Sequence, residues 1–295
     1  GLEYNIYKLK LLLEQYNYLQ DDESIHTFET EYLKLLKSPF IPRFHQKLFI
    51  DKILDLEEKG NKNILVGAIP RSGKSYIMMG TMLDYVRKYG HSGKFFNFIL
   101  ITPAPNETFG EYQSIIDEHI DFHSLNMNYV QLKSKPGRQK LDIGKPDKHN
   151  IFVVSKQMLG YKEQKDSAGP NVNQDIKQIK EQTEKRINQI LKGQKFDMIF
   201  LDEAHFGMST ENAQEILSIL DGLGKNTPKM FVTATYNKPL SVYGIDAEKC
   251  KLTWDINDIQ MFRDINFNIK NNPLRDRFGH KIYDNALNFF NNDSE

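Results

Sequence analysis

A short A-x-x-x-x-G-K-S pattern constrains the fold more than any other feature of this sequence. It occupies residues 68–75, follows the apolar run 64–67 and precedes a helical pattern that begins near Lys74. A strand, a loop and a helix in this order are the setting in which such a loop binds phosphate. The residues assigned to this phosphate cradle are Ala68, Arg71, Ser72, Gly73, Lys74 and Ser75. Ala68 stands where the usual pattern has its first glycine.

The residue types in this loop suit a polyphosphate. Gly73 allows backbone N–H groups to turn inward, and the following helix N-terminus adds a partial positive charge. Lys74 is expected to reach the β- and γ-phosphates as a point charge. The Ser75 hydroxyl is expected to take one position on an octahedral Mg²⁺, which binds few protein ligands. The loop therefore predicts a nucleoside triphosphate with Mg²⁺.

A carboxylate pair closes a second apolar run. Asp202 and Glu203 follow residues 198–201 and precede Ala204 and His205. Open parallel sheets place their ligands at the carboxyl ends of such strands. Asp202 is suited to hold Mg²⁺, directly or through water, and Glu203 to orient and deprotonate the attacking water. The alternative is a simple helix cap, which the phosphate loop upstream disfavours.

Length and composition bound the class of protein. The chain has 295 residues, of which 39% are hydrophobic and 26% charged, enough for one large core or a core with a small accessory domain. No apolar stretch approaches the roughly 20 residues that span a bilayer, and no signal peptide pattern is present. Cys250 is the one cysteine, so an intracellular location (cytoplasm, nucleus or virion) is expected. The net charge of zero neither supports nor excludes nucleic-acid binding.

Strands alternate with helices along most of the chain. This alternation predicts an α/β fold with a parallel sheet covered on both faces. The expected elements are strands at 64–67, 96–102, 151–154, 197–201 and 229–233, a closing strand and helix within 252–265, and a helix over 43–59.

The sequence also suggests domain boundaries. Residues 1–40 are expected to form a small helical extension whose two apolar helical stripes face the core. The stripes consist of Ile6, Leu9, Leu13 and Tyr16, and of Ile25, Phe28, Tyr32 and Leu35. Residues 41–260 form the expected ATPase domain. Within it, the polar and lysine-rich insertion 161–194 is either a solvated helix packed by one face or a surface for a partner or nucleic acid. Residues 261–295 are expected to be an extension or linker.

Together, these motifs resemble the first RecA-like domain of superfamily 2 helicases and translocases. This DEAD/DEAH-like group includes motor subunits of type I and type III restriction enzymes and viral helicases. Residues Arg43-Phe44-His45-Gln46 are similar to its R-P-H-Q adenine-reading motif, with Phe44 in the proline position. Gln46 can satisfy a donor and an acceptor on the adenine edge, although a surface position at a helix N-terminus is an alternative. The resemblance covers about residues 41–235 and implies a RecA-like P-loop NTPase fold.

The resemblance implies further roles at strand ends. Thr102-Pro103 and Ser155 correspond to residues that contact the nucleic-acid backbone, for which hydroxyl groups are suitable donors. Each is also compatible with an ordinary strand terminus. Thr233 and Thr235 of Thr-Ala-Thr match the coupling motif, which relays the nucleotide state together with His205 of the Asp-Glu-Ala-His segment.

A second RecA-like domain is the part that this sequence lacks. Family motors receive arginine fingers from a Q-x-x-G-R-x-x-R type motif, and no such string follows Thr235. Arg275 and Arg277 occur there without the rest of the motif. Because an arginine finger contributes about 10³ to 10⁵ in rate, the chain is expected to bind ATP and hydrolyse it weakly by itself. The first residue, Gly1, is not Met, which suggests a fragment.

The expected function is the ATP-binding half of a nucleic-acid-dependent helicase or translocase that hydrolyses ATP to ADP and phosphate. The restriction-motor resemblance favours DNA over RNA. The abundance of Lys, Asn and Ile hints at an AT-rich genome, such as that of a large DNA virus or certain bacteria. Two alternatives stay open: a nucleotide-binding switch or scaffold without motor function, and a DNA-packaging motor ATPase. The Arg43–Gln46 and Thr-Ala-Thr motifs favour the helicase group over packaging.

Overall fold

A parallel sheet forms the centre of the fold. The computed structural model describes residues 2–16, 37–103, 105–132, 144–159, 193–204, 210–235, 241–264 and 273–292, with isolated positions within 18–32 and 181–191. The described part contains seven strands: β1 Asn63–Ala68, β2 Asn97–Thr102, β3 Met127–Leu132, β4 His149–Ser155, β5 Met198–Leu201, β6 Lys229–Thr233 and β7 Lys251–Trp254. They lie in the order β3-β4-β2-β5-β6-β1-β7, and every pair is parallel.

Helices cover both faces of this sheet. The main ones are α1 Leu2–Tyr16, α2 Phe44–Glu58, α3 Lys74–Tyr89, α4 Pro105–Glu118, α5 Ile120–Ser124, α6 Lys156–Leu159, α7 Thr210–Gly224, α8 Ile256–Asp264, α9 Pro273–Phe278 and α10 His280–Asn292. A single 3₁₀ turn at Gly90–Ser92 follows α3. This architecture confirms the expected RecA-like α/β fold.

The core consists of two apolar layers, one on each face of the sheet. Successive side chains of a strand point to opposite faces. Accordingly, Ile64 and Val66 pack with α2, α3 and α4 in one layer, whereas Leu65 packs with α7 in the other. Since both faces are covered, most strands are nearly continuous apolar runs. This is why the sequence predicted them within a residue or two.

The edge strand β3 was not predicted from the sequence. Among the described strands, Met127–Leu132 pairs with β4 alone, and three of its six side chains are half-buried. An edge strand is less completely covered than a central one, so its sequence, Met-Asn-Tyr-Val-Gln-Leu, lacks the apolar run that marked the others.

The amino-terminal stripe is not buried as expected. Leu13 and Tyr16 are 50% and 47% exposed, so the prediction that they face the core is wrong. Tyr16 instead packs against Phe28, with ring centroids 4.8 Å apart. A short helical extension has too little volume to enclose both faces of its own helices. The proposed boundary of the extension, 1–40, stays a prediction.

The carboxyl-terminal helices pack on the apolar layer that contains α2 and α3. Phe278 of α9 and Tyr283 of α10 are buried against Phe49 and Phe44 of α2, with ring centroids 5.6 and 5.5 Å apart. Part of the proposed extension 261–295 therefore contributes to the core. Its role as a linker to a second domain is a prediction.

Most of the proposed insertion 161–194 lies outside the described residues. Of its apolar stripe, Ile187 and Leu191 are buried against the layer that contains α7, which is the contact expected of a helix packed by one face. Among the described helices, none combines the length and the apolar character that crossing a membrane requires.

Candidate nucleotide site

The predicted motifs meet along the carboxyl edge of the sheet. Because all strands are parallel, their carboxyl ends form one row that runs from β4 through β2, β5, β6 and β1 to β7. The segment after β5 is hydrogen-bonded to both neighbouring strands. The Asp202 amide donates to the Ile101 carbonyl of β2 at 2.9 Å, and the Ala204 amide donates to the Val232 carbonyl of β6 at 2.8 Å. The Asp-Glu pair therefore lies in the middle of the row, with the phosphate loop on one side.

The phosphate loop departs from β1 without a glycine. Ala68 is the last residue of β1, pairs with Trp254 and has no positive φ, so the backbone accepts alanine in this position. The turn comes later, where Arg71 has a φ of 65° and Gly73 a φ of 77°. The missing first glycine is thus explained by the strand conformation.

Gly73 is required by its conformation and by its surroundings. A Cβ atom at this position would lie 2.3 Å from Nε2 of Gln46. The left-handed φ also disfavours any residue with a side chain. The loop and the Gln46 amide are therefore packed against each other with no space between them.

Gln46 braces the loop with its side-chain amide. Its Oε1 accepts the Arg43 amide hydrogen at 2.8 Å, and its Nε2 donates to the Ser72 carbonyl at 3.2 Å. The side chain is 3% exposed. An amide group has two hydrogens and two lone pairs, so one donor and one acceptor site remain beyond these two bonds.

His45 is a site residue that the sequence reasoning did not assign. Its Nε2 lies 2.8 Å from the Ser72 carbonyl, and since a carbonyl only accepts, Nε2 carries the hydrogen. Burial lowers the pKa of His45, while the bond to Ser72 raises it and the charge of Arg43 lowers it further. The ring stacks on Trp254 with centroids 5.1 Å apart and planes 16° apart.

A cavity of about 480 Å³ opens beside this loop. Arg43, His45 and the first half of the phosphate loop form one wall. Trp254 of β7, Phe262 of α8 and Phe290 of α10 add aromatic surface to its lining. A cavity with apolar, aromatic walls and few polar groups is the form that binds a flat heterocycle. This aromatic surface was not predicted from the sequence, because its members belong to a region interpreted as a closing element and linker.

The residues for phosphate and cation begin α3. Lys74 is its first residue, and the next, Ser75, donates its hydroxyl hydrogen to Oε1 of Glu111 at 2.5 Å. The buried hydroxyl of Ser72 has no hydrogen-bond partner among the residues that the structure describes. An unsatisfied buried hydroxyl needs an explanation, and a phosphate oxygen is a suitable partner.

Asp202 is held by hydrogen bonds to both carboxylate oxygens. Tyr112 donates its hydroxyl to Oδ2 at 2.8 Å, and the Glu203 amide donates to Oδ1 at 3.0 Å. Burial raises the pKa of Asp202 to about 6, the Tyr112 bond opposes this rise, and the charge of Glu203 adds to it. Burial and the charge of Asp202 keep the pKa of Tyr112 well above its usual value.

Backbone strain concentrates at this site. Of the three described non-glycine residues with positive φ, two are Arg71 and Glu203, the latter at 52°. Such conformations carry about 1–3 kcal/mol of strain and cluster at functional sites.

The oxygen donors fit a small, hard cation. Ser75 and Asp202 offer a hydroxyl and a carboxylate, the ligand types that Mg²⁺ prefers. The described residues include no group of three or more His, Cys, Asp or Glu side chains arranged to hold a metal. A magnesium ion that binds with a nucleotide needs only one or two protein ligands, so the donor set is compatible with it.

The residues predicted to contact nucleic acid lie together at the ends of β2 and β4, but the side chains of Thr102 and Ser155 are buried. Thr102 and Ser155 are direct partners at the ends of β2 and β4. The Thr102 side chain is fully buried, with Oγ1 3.0 Å from Thr108 Oγ1. Ser155 Oγ accepts the Met158 amide hydrogen at 3.2 Å, and the Pro103 carbonyl accepts a hydrogen bond from exposed Gln157. Their role in nucleic-acid contact stays a prediction.

The coupling motif forms a local turn at the end of β6. Thr233 Oγ1 donates to the Thr235 carbonyl at 2.8 Å and accepts the Thr235 amide hydrogen at 3.0 Å. The neighbouring carbonyl of Val232 holds Ala204, as described above. His205 lies outside the described residues. The relay role of these residues is a prediction.

The two arginines near the carboxyl terminus are engaged elsewhere. Arg275 makes a paired contact with the Asp284 carboxylate, at 3.0 and 2.9 Å. Arg277 pairs with Asp258 at 2.7 Å. Both contacts lie among α8, α9 and α10.

Comparison with known proteins identifies the family. Residues 39–238 match the family described as "Type III restriction enzyme, res subunit". No curated protein sequence matches the chain. Among solved structures, the chain is similar to an "ATP-dependent Type ISP restriction-modification enzyme LlaBIII bound to DNA", with 15% identity, a TM-score of 0.44, and 67% of this chain and 13% of that one covered.

A second similar structure is the "Sulfolobus solfataricus SWI2/SNF2 ATPase core in complex with dsDNA", with 11% identity and a TM-score of 0.46. Here the match covers 79% of this chain and 48% of that one. The chain thus spans less than half the length of either protein. The family match extends over more than half of the chain and contains both the phosphate loop and the Asp-Glu pair, which confirms the resemblance to a superfamily 2 helicase-type domain. This chain belongs to the type III restriction enzyme res subunit family.

Proposed function

We propose that this chain binds ATP with Mg²⁺ and hydrolyses it to ADP and phosphate, as the ATP-binding half of a nucleic-acid-dependent motor. One observation carries the proposal: Gln46 and His45 both bond to the Ser72 carbonyl of the phosphate loop. Residues 69–72 of the loop also line the aromatic cavity, so the cavity and the loop form one continuous surface, suited to a base at one end and phosphates at the other.

In this proposal the base enters the cavity beside Trp254 and is read by the remaining donor and acceptor of Gln46. Arg43 lines the same cavity. The ring of His45 is not a free base reader, because its Nε2 hydrogen is bonded to Ser72. An adenine edge offers a donor and an acceptor side by side, which matches the donor and acceptor capacity of the amide beyond its two described bonds.

The phosphates lie over the N-terminus of α3 in the same proposal. Lys74 neutralises charge on the β- and γ-phosphates, and the Ser72 hydroxyl gains the partner that it lacks. Ser75 and Asp202 would hold Mg²⁺, which when bound neutralises charge on the phosphate oxygens. Glu203 orients the attacking water and accepts its proton.

The family favours DNA over RNA as the nucleic acid. In such motors a second RecA-like domain supplies arginine fingers, so residues 1–295 alone are expected to turn over ATP slowly. Thr102, Pro103 and Ser155 mark the edge at which nucleic acid would approach. The coupling role of Thr233, Thr235 and His205 belongs to the same proposal.

Steady-state ATP hydrolysis tests the proposal. The chain would be assayed alone and with single- and double-stranded DNA and RNA, with Lys74→Ala as the inactive control. Weak hydrolysis that depends on Lys74 and rises with nucleic acid supports a motor ATPase, and the strongest stimulator identifies its track. Binding of ATP without turnover under every condition would instead favour a nucleotide switch, and absence of ATP binding would overturn the proposal.

A further inference from the structure

Helix α4 brings two consecutive side chains to the expected cation ligands. Glu111 Oε1 accepts the Ser75 hydroxyl at 2.5 Å, and the Tyr112 hydroxyl donates to Asp202 Oδ2 at 2.8 Å. Neither residue belongs to the phosphate loop, the Asp-Glu pair or any other motif recognised in the sequence. The two bonds reach two different ligands from one helical turn.

The position of Tyr112 is fixed by packing. The residue is 1% exposed and belongs to the apolar layer beneath the sheet, together with Phe109, Ile115 and Ile116 of the same helix. A buried ring with a single hydroxyl has few ways to move, so its hydrogen bond sets the rotation of the Asp202 carboxylate. The Glu203 amide fixes the other oxygen. Each oxygen keeps lone pairs for a cation.

Glu111 acts on Ser75 from the solvent side. A serine hydroxyl has one hydrogen and two lone pairs. When the hydrogen points to Glu111, the lone pairs point away from it and are available to a cation. Since Mg²⁺ binds oxygen at about 2.0–2.1 Å, the Glu111 carboxylate would lie within about 5 Å of it, near enough to attract it by charge.

We propose that Glu111 and Tyr112 are positioning residues of the cation site, and that α4 sets the orientation of both protein ligands. This inference rests on the proposed function. Groups that orient metal ligands typically change metal affinity when they are removed. Because α4 directly follows Thr102 and Pro103, the same helix connects the edge proposed for nucleic acid with the cation ligands.

The test compares Glu111→Gln and Tyr112→Phe with two matched controls, one on β3 in contact with α4 and one on α4 itself. Tyr129→Phe removes a hydroxyl that donates to the Phe109 carbonyl of α4 at 3.0 Å. Asp117→Asn removes one exposed negative charge from α4. Binding of a fluorescent ATP analogue would be titrated with Mg²⁺ and repeated in EDTA. Mn²⁺ binding in the presence of ADP would be followed by electron paramagnetic resonance.

Each test variant is expected to raise the Mg²⁺ and Mn²⁺ concentrations for half-saturation by about tenfold. Nucleotide affinity in EDTA and the melting temperature of Glu111→Gln are expected to match the wild type. Both control variants should titrate like the wild type. This pattern separates a role at the cation from a general loss of stability.

Three outcomes would overturn the inference. Unchanged Mg²⁺ dependence in Glu111→Gln excludes positioning of Ser75, and tighter Mg²⁺ binding would show that Glu111 blocks the site. If Tyr112→Phe does not fold, Glu111→Gln, at an exposed position, still tests whether α4 positions a cation ligand. Failure of the wild type to bind nucleotide through Lys74 would reject the proposed function and this inference together, whereas normal Lys74-dependent binding with unaltered variants rejects the inference alone.

Discussion

The two halves of the carboxyl edge differ in how ready they are for a ligand. At the β1 and β7 end there is an open cavity, a loop in left-handed conformation and a buried hydroxyl of Ser72 without a described partner. At the β2 and β4 end, the hydroxyls of Thr102 and Ser155 are buried and bonded to their own chain. The nucleotide half is pre-organised, and the other half is closed.

This difference shows that a strand end alone does not make a ligand site. Both halves have hydroxyls at this edge of the sheet, but among the described ones there, that of Ser72 is buried without a hydrogen-bond partner, whereas those of Thr102 and Ser155 are bonded. A contact of Thr102 or Ser155 with nucleic acid would require the loops after β2 and β4 to rearrange. Exposed neighbours such as Gln157 are available without rearrangement.

Removal of the loop lysine tests the nucleotide half most severely. Lys74→Ala is expected to weaken ATP binding by at least about a hundredfold, since it leaves phosphate charge without its partner. Lys88→Ala is the matched control, because Lys88 lies on the same helix and pairs with exposed Glu58. Isothermal titration with ATP measures both. Equal affinities for the two variants would contradict the assignment.

Substitution of Glu203, the proposed general base, separates ATP binding from ATP hydrolysis. Glu203→Gln should keep ATP affinity and reduce hydrolysis by about 10²- to 10⁴-fold, because the amide cannot accept the proton of the attacking water. Steady-state hydrolysis and nucleotide titration on the same preparation measure the two effects. Retained turnover would remove Glu203 from the role of base.

Two glycines in the same conformation allow the loop packing to be tested. Gly73 and Gly60 have φ values of 77° and 83°, but a Cβ at Gly60 meets nothing within 4 Å. Alanine at either position should lower the free energy of unfolding by about 1–2 kcal/mol. Only Gly73→Ala should also displace Gln46 and weaken ATP binding, by about tenfold if one charge-assisted phosphate contact is lost.

Calorimetry or chemical unfolding, followed by ATP titration, would check this pair. Normal ATP binding by Gly73→Ala would mean that the loop does not depend on the Gln46 brace. In the unfolding measurement, the double variant with Gln46→Ala removes the atom in conflict and separates the steric clash from the cost of the positive φ.

The aromatic wall of the cavity is tested with ligands of different size. Trp254→Leu should reduce ATP affinity by about 0.5–1.5 kcal/mol, the contribution of an aromatic pair, and should leave the affinity for tripolyphosphate unchanged. Phe95→Leu, which alters a partly exposed ring beside a different cavity, is the control. A loss for both ligands would place Trp254 in the support of the phosphate loop rather than in base binding.

The smallest effects are expected in the closed half. Thr102→Val and Ser155→Ala should each lower the free energy of unfolding by about 1 kcal/mol, since each removes an internal hydrogen bond. ATP binding should not change. Weaker nucleic-acid binding at unchanged stability and unchanged salt dependence would show that the hydroxyls contact phosphates, and would contradict the view that this half is closed.

Particular residues show what the sequence could and could not predict. The apolar strands and the ordered motifs were legible, because central parallel strands are buried on both faces and ligand loops follow their carboxyl ends. The partially covered strand β3 was not. Trp254, Phe262 and Phe290 join the site only through the packing of distant helices. The contacts of Glu111 and Tyr112 depend on the rotation of α4, which periodicity alone does not fix.

The bond from Gln46 to the phosphate loop has a consequence for changing the nucleotide preference. The side chain proposed to select the base also fills the space beside Gly73 and supports the Ser72 carbonyl. A substitution of Gln46 intended to change nucleobase specificity would therefore also change the binding of the phosphates. Selectivity and affinity are tied together in this fold, and redesign of one requires redesign of the other.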